Sequence, residues 1–241
     1  MTIMEKLGLN KMLKNKEYQV IIIRENENEL IGFVKLKGQG EITFDYLNDK
    51  LYVNGEEKNL NWFEDFLFVY NCCKNDKINL AKNGKYLDIL VNDKNYDIRI
   101  EVARQGYGLD ILVNDPNWVV RNTVAQQKYG LDVLVNDKHC YVRIAVAEQG
   151  YGLESLINDK DWEVRNAVVQ QGYGLDVLIN DKHWYVRRSV AVEGYGLNKL
   201  INDSNEYVVG YANKWLKDNT LTLDEWVKQY PERCVLVEWN K

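Results

Sequence analysis

The chain has 241 residues, 46% of them hydrophobic, with 31 basic and 36 acidic side chains giving a formal net charge of -5. That is enough apolar material for one or two domains with an ordinary core, and only 2 prolines exclude a collagen-like chain. Mild acidity removes the simplest case for nonspecific DNA binding, which needs a basic footprint, and no apolar run approaches the roughly 18 to 20 residues that span a bilayer.

The segment up to Lys16 has no apolar h-region, so no secretory signal is expected. The hydrophobic period then becomes 2. Glu17 to Arg24, Leu30 to Lys37, Glu41 to Leu47 and Leu51 to Val53 read as strands of an antiparallel meander. Turns fall at Asn26-Glu27-Asn28-Glu29, Gly38-Gln39-Gly40 and Asn48-Asp49, and Asn54-Gly55 is a further hairpin signal. Residues 1–62 are therefore expected to form a small antiparallel β-rich N-terminal domain, serving as a cap or as a second binding domain. Leu60 to Cys72, rich in Trp, Phe and Leu, reads as a helix leading out of it.

Internal repetition dominates the rest. Tyr-Gly-Leu recurs at Tyr107, Tyr129, Tyr151, Tyr173 and Tyr195, always 22 residues apart. Asn-Asp recurs in register at Asp93, Asp115, Asp137, Asp159, Asp181 and Asp203, and six residues after each of the first five aspartates stands an arginine, Arg99, Arg121, Arg143, Arg165 or Arg187. Val209 takes the sixth position, where the pattern decays. Upstream, Lys77, Leu80, Ala81 and Gly84 occupy the places of Arg99, Val102, Ala103 and Gly106, so a degenerate first unit begins near Phe63.

Each unit reads as two short helices. Leu175, Leu178 and Ile179 share one helical face. Asp181 has the character of an N-cap, and Pro116 after Asp115 suits a first helical position. Val186 and Val190 stripe the second helix, which Gly194 ends as Gly106, Gly150 and Gly172 end theirs. Such a unit cannot bury its apolar faces alone, and stacking neighbours does it. The fold class is thus mostly α: an α-solenoid of about six 22-residue two-helix repeats over residues 63–217, behind the β-rich N-terminal domain. Thr222-Leu223-Asp224-Glu225 is a capping box starting a short helix that Pro231 stops. With the apolar run Cys234 to Trp239, it makes 218–241 a C-terminal cap.

Val186-Arg187-Arg188-Ser189-Val190-Ala191, following Asn180-Asp181 and Trp184, resembles the leucine-rich repeat variant. The spacing from Asp to Val-Arg is similar to that of HEAT repeats. The resemblance covers about residues 63–216 and implies right-handed stacked helices with a ladder of Asp and Arg side chains. Gly-Tyr-Gly and Asn-Asp stand where the variant family uses Asn-Pro and Asp-Pro turns. An iron–sulfur cluster known from one family member is not carried over, because only Cys72-Cys73 lies near the repeat start.

A spacing copied five times is what structure demands, whereas an active site would occur once. Asp115, Arg121, Asp137, Arg143, Asp159, Arg165, Asp181 and Arg187 are therefore expected to form a structural ladder, the planar guanidinium pairing with carboxylates or carbonyls between units. Positions that vary between otherwise matching copies are the candidates for recognition. Aromatic and arginine side chains are the usual interface anchors, which singles out Tyr141, Trp162, His183, Trp184, Tyr185 and Arg188 as partner-binding residues. Trp118, Trp162 and Trp184 share one register and also suit a role covering the seam between units. The variable positions repeat every 44 residues, His139 and Tyr141 returning as His183 and Tyr185, and Asn122 as Asn166. His139 and His183 lie two units, about 20 Å, apart and share no metal ion.

No phosphate loop, nucleophile elbow or HExxH is present, so no enzyme activity, cofactor, metal or small-molecule substrate is expected. Four cysteines make no disulfide framework, and buried reduced thiols in a cytoplasmic protein are expected. The expected function is protein binding along the repeat face, as an adaptor or inhibitor. The Asn-, Lys- and Ile-rich composition suggests an AT-rich microbial genome, and in its sharpest form the reading is a phage-encoded anti-defence factor. The alternative is nucleic-acid binding through Arg99, Arg121, Arg143, Arg165, Arg187 and Arg188, provided the aspartates face elsewhere.

Overall fold

The computed structural model describes residues 2–9, 18–25, 29–36 and 40–235. The chain divides into two compact units, Met1–Gly108 and Leu109–Lys241.

In the first unit, α1 (Ile3–Lys6) is fixed by a capping box between Thr2 and Glu5. Five strands follow, β1 (Tyr18–Glu25), β2 (Glu29–Leu36), β3 (Gly40–Leu47), β4 (Lys50–Val53) and β5 (Glu56–Lys58), in one antiparallel meander of order β1-β2-β3-β4-β5. Asn48 and Asp49 at φ 51° and 66°, and Asn54 and Gly55 at φ 51° and 85°, make the mirror-image turns whose twist suits tight hairpins. Residues 26–28 and 37–39 of the other two expected turns lie outside the described residues. The Asn54-Gly55 signal delivers β5, a strand too short and too charged to be read from period-2 alternation.

Alternate residues of the sheet, Leu30, Val34, Phe44, Leu51 and Val53, face one core together with Leu7 and Leu9. Helix α2 (Trp62–Asn71) seals that core with Trp62, Phe63 and Phe66, Phe63 meeting Phe44 edge to face at 5.4 Å. Then come α3 (Lys74–Lys82), α4 (Leu87–Leu90) and α5 (Tyr96–Arg104), with α3 packed on α5.

The second unit alternates one-turn helices with longer ones: α6 (Leu109–Leu112), α7 (Trp118–Gln126), α8 (Leu131–Leu134), α9 (Cys140–Glu148), α10 (Leu153–Leu156), α11 (Trp162–Gln170), α12 (Leu175–Leu178), α13 (Trp184–Val192), α14 (Leu197–Leu200) and α15 (Glu206–Asp218). The long helices α7, α9, α11, α13 and α15 pack each on the next, the serial stacking of an α-solenoid. Their buried stripe is Val120 and Val124, Val142 and Val146, Val164 and Val168, then Val186 and Val190, all 0% exposed. The 3.6-residue period places each pair, four apart, on one face.

The aspartate register is not the N-cap. The N-cap positions of the long helices are held by Asn117, His139, Asp161, His183 and Asn205, of which Asn117 and Asn205 accept a helix N–H, and Pro116 lies in the turn before Asn117. Each aspartate stands two residues earlier and closes an Asx turn, as when Asp137 Oδ1 accepts the His139 N–H at 2.8 Å. Short polar side chains satisfy both motifs, so the sequence pattern does not separate them.

At the far end of each long helix the glycine takes the left-handed region: Gly150, at φ 72°, donates its N–H to Ala147 while Tyr151 N–H reaches Val146. Lys128 adopts the same conformation at φ 60°.

Beyond α15, the expected capping box between Thr222 and Glu225 starts α16 (Leu223–Gln229), which buries Trp226 completely. The following chain is tied to the last copy. Gly196 N–H donates to the Arg233 carbonyl at 2.8 Å, and Asn198 exchanges two hydrogen bonds with Val235. The remainder of the expected run to Trp239 lies outside the described residues. The cysteines are free, but buried they are not: Cys73 is exposed and Cys72, Cys140 and Cys234 are half-buried. Cys72 and Cys73 sit in the link between α2 and α3, and Cys140 opens a helix, where packing is incomplete. Among the described residues no helix is long and apolar enough to cross a membrane.

Candidate functional site

Two systems of functional-looking side chains emerge from the second unit, and they differ in what their polar groups are already doing. The first is the ladder. Arg143 Nε and Nη2 grip the two oxygens of Asp159 at 2.6 and 2.8 Å, and its Nη1 donates to the Asp137 carbonyl at 2.7 Å. The same three bonds recur for Arg121 with Asp137 and the Asp115 carbonyl, for Arg165 with Asp181 and the Asp159 carbonyl, and for Arg187 with Asp203 and the Asp181 carbonyl. Each arginine thus clamps a turn of its own copy to the turn of the next. In the first unit Lys77, in the arginine register, reaches Asp93 at 2.9 Å with one point charge in place of the fork.

Burial pushes Asp137, Asp159, Asp181 and Asp203 upward, but the guanidinium and the backbone N–H two residues on outweigh it and hold each carboxyl below the usual carboxylate range. A carboxyl depressed in the folded state takes up protons more readily when unfolded, so its stabilisation is complete above the unfolded value of about 4 and is lost as pH falls through the lower folded value. The urea midpoint is therefore expected to hold from pH 7 to about 5 and to fall steeply below about 4. A midpoint insensitive to acid would contradict the ladder's charge state.

The second system is an aromatic surface at the starts of the long helices, where side chains leave the bundle before its core closes. Trp118, the first residue of α7, lies flat on His139, the cap of α9, at 4.1 Å and 2°, and touches Tyr141 at 5.4 Å. Two copies further, Trp162 lies on His183 at 4.4 Å and on Tyr185 at 4.9 Å. Trp184 extends this group to Tyr185 and Tyr207, 5.6 and 5.4 Å away. Arg188, one turn along α13, sets its guanidinium 4.6 Å from the Tyr185 ring and 4.1 Å from Tyr211. The varied polar positions brace this surface: Asn122 donates to the Tyr141 carbonyl at 2.7 Å, and Ser189 Oγ to Asn166 Oδ1 at 2.6 Å.

Of the residues singled out in the sequence, Trp162, His183, Trp184, Tyr185 and Arg188 form one contiguous group, while Tyr141 belongs to the neighbouring one with Trp118 and His139. The tryptophans do cover seams between copies, and they remain half-buried while doing so. Tyr141 and Tyr207 are 51% and 58% exposed. In the copy where the pattern decays, Tyr207 stands among the variable positions after Asn-Asp without being singled out as partner-binding, and Tyr211 escaped sequence reasoning. The stacking itself was visible as a Trp followed 21 residues later by a His, at 118 and 139 and again at 162 and 183. The loop tyrosines Tyr107, Tyr129, Tyr151 and Tyr173 are each exposed to a similar degree. Among the described residues no group of three or more His, Cys, Asp or Glu side chains is placed to hold a metal ion.

Comparison with protein-family models, with curated proteins and with solved structures finds no match to this chain.

Proposed function

We propose that the repeat unit is a non-enzymatic protein-binding module of the HEAT-like or leucine-rich-repeat-variant kind, acting as an adaptor or inhibitor in the cytoplasm. The observation that carries this reading is the group Trp162, His183, Trp184, Tyr185 and Arg188, with Tyr141 alongside. These are large side chains held by mutual stacking and left half-exposed at the helix starts and, for Arg188, one turn further on. Such groups lose little entropy on binding and resemble interface hot spots. The ladder supports the same choice over nucleic acid. Arg121, Arg143, Arg165 and Arg187 each spend their fork on an aspartate, so the row of guanidiniums a phosphate backbone needs is already occupied.

Affinity purification with mass spectrometry from a bacterial lysate, defence complexes included, is expected to recover a protein partner with the wild-type chain and to lose it with Tyr141→Ala/Tyr185→Ala. An unchanged catch with the double variant, or one consisting of nucleic acid alone, refutes the proposal.

A further inference from the structure

Arg188 stands next to a ladder arginine yet is bonded in a different way. Arg187 gives its fork to Asp203 and its remaining nitrogen to a carbonyl. Arg188 has no carboxylate partner among the described residues, and its Nε is buried without a hydrogen-bond partner. What holds it is the pair of tyrosine rings at 4.6 and 4.1 Å. Cation–π contact engages the charge through its flat face, and none of the in-plane N–H donors is given to a carboxylate. Burial works against the charge, and the Tyr185 and Tyr211 hydroxyls outweigh it, so the group stays cationic.

The register shows that the arginine is not required by packing. The equivalent positions are Ile100, Asn122, Ile144, Asn166 and Gly210, and those copies stack as well. A guanidinium fixed against two rings, with no carboxylate of its own chain bonded to it, is preorganised for one planar oxyanion taken in bidentate fashion.

We infer that Arg188, held by Tyr185 and Tyr211, is the receptor for a single carboxylate presented by the protein partner, an Asp or Glu side chain seated beside the aromatic group. This deepens, and rests on, the protein-binding reading above. The choice of a lone carboxylate over a phosphate polymer follows from charge. The chain carries -5 overall, and the neighbouring guanidiniums are neutralised within the ladder, so the half-buried Arg188, with Lys214 Nζ 6.0 Å from the same Tyr211 ring, is a small basic spot on an acidic body. A polyanion gains few contacts there and meets repulsion elsewhere, whereas a folded partner delivers one carboxylate with apolar surface around it.

The test is an NMR titration of the full-length chain, following the arginine Nε–H signals and the Tyr211 amide. Sodium acetate, sodium phosphate and a 12-base-pair DNA duplex are added separately, with sodium chloride matched for ionic strength. The expected result is a saturable, millimolar response of the Arg188 signals to acetate, with the Arg143 and Arg165 signals still, and at least about tenfold weaker acetate binding in Arg188→Lys, which keeps the charge but not the fork. No saturable response to acetate, or one confined to phosphate or DNA, overturns the inference. The titration needs no partner, so a flat acetate response beside a successful Tyr141/Tyr185 purification discards the carboxylate receptor alone.

Discussion

Replacing Arg143 by alanine is expected to cost about 3–5 kcal/mol, the range for removing one member of a buried ion pair. Arg143 is the best-connected rung. Besides Asp159 and the Asp137 carbonyl it holds Asp161 at 2.7 Å, and its side chain and that of Asp159 are 7% and 8% exposed. Truncation leaves Asp159 charged and buried with only the Asp161 N–H to face, and orphans the Asp137 carbonyl as well. The cost lies in that isolation rather than in the pair's net worth, because a buried pair replaced by well-packed apolar groups is often near neutral. Arg143→Met combined with Asp159→Leu should therefore recover most of the loss. Arg187→Ala should cost less, its side chain being 15% exposed. Urea unfolding of the four proteins decides the matter. A loss below about 1 kcal/mol for Arg143→Ala would reduce the ladder to decoration.

The ladder could be anticipated because duplication copied it: a side chain repeated every 22 residues is answering a demand that every copy makes, and Arg143 and Asp159 answer each other. The aromatic surface was half legible for the opposite reason. It lives where copies differ, so Tyr185 and Arg188 stood out, but its ring contacts between copies join residues 21 to 23 apart, such as Trp118 with His139 and Arg188 with Tyr211. No single-unit reading brings these together. The N-cap error has a local cause. Asp181 closes a turn two residues ahead of the helix, and the chemistry that suits it for that turn also suits a cap. In the sheet, Leu30, Val34 and Phe44 follow the alternation of a one-sided core, whereas β5 contributes three charged residues and almost no burial, so only its turn announced it.

The second glycine of each Gly-Tyr-Gly carries a constraint that the first does not, and the two are expected to separate by mutation. Gly150 sits at φ +72° with no atom within 4 Å of where a Cβ would stand. Gly150→Ala should then cost only the left-handed strain of about 1–2 kcal/mol, as the tolerance of Lys128 in that register suggests. Gly152, at φ +63°, would put its Cβ 2.6 Å from Val135 Cγ2 of the preceding copy. Valine is branched at Cβ and stiff about χ1, so the contact is relieved only by moving backbone. Gly152→Ala should cost about 2–5 kcal/mol, strain and overpacking together. Gly174 offers an internal control. Its Cβ would approach Ile157 Cδ1 to 2.1 Å, nominally closer, yet that atom ends a side chain that can rotate away, so Gly174→Ala should fall between the other two. In the earliest copy Tyr86 occupies this register at φ 57°. The position equivalent to Val135 there is Val69, within the ten-residue α2 rather than at the end of a one-turn helix, and the Tyr86 side chain is admitted against Phe68 at 5.8 Å. Denaturation midpoints for the three alanine variants test the order, and equal losses at Gly150 and Gly152 would mean that backbone conformation alone, and not the closeness of successive copies, keeps this residue glycine.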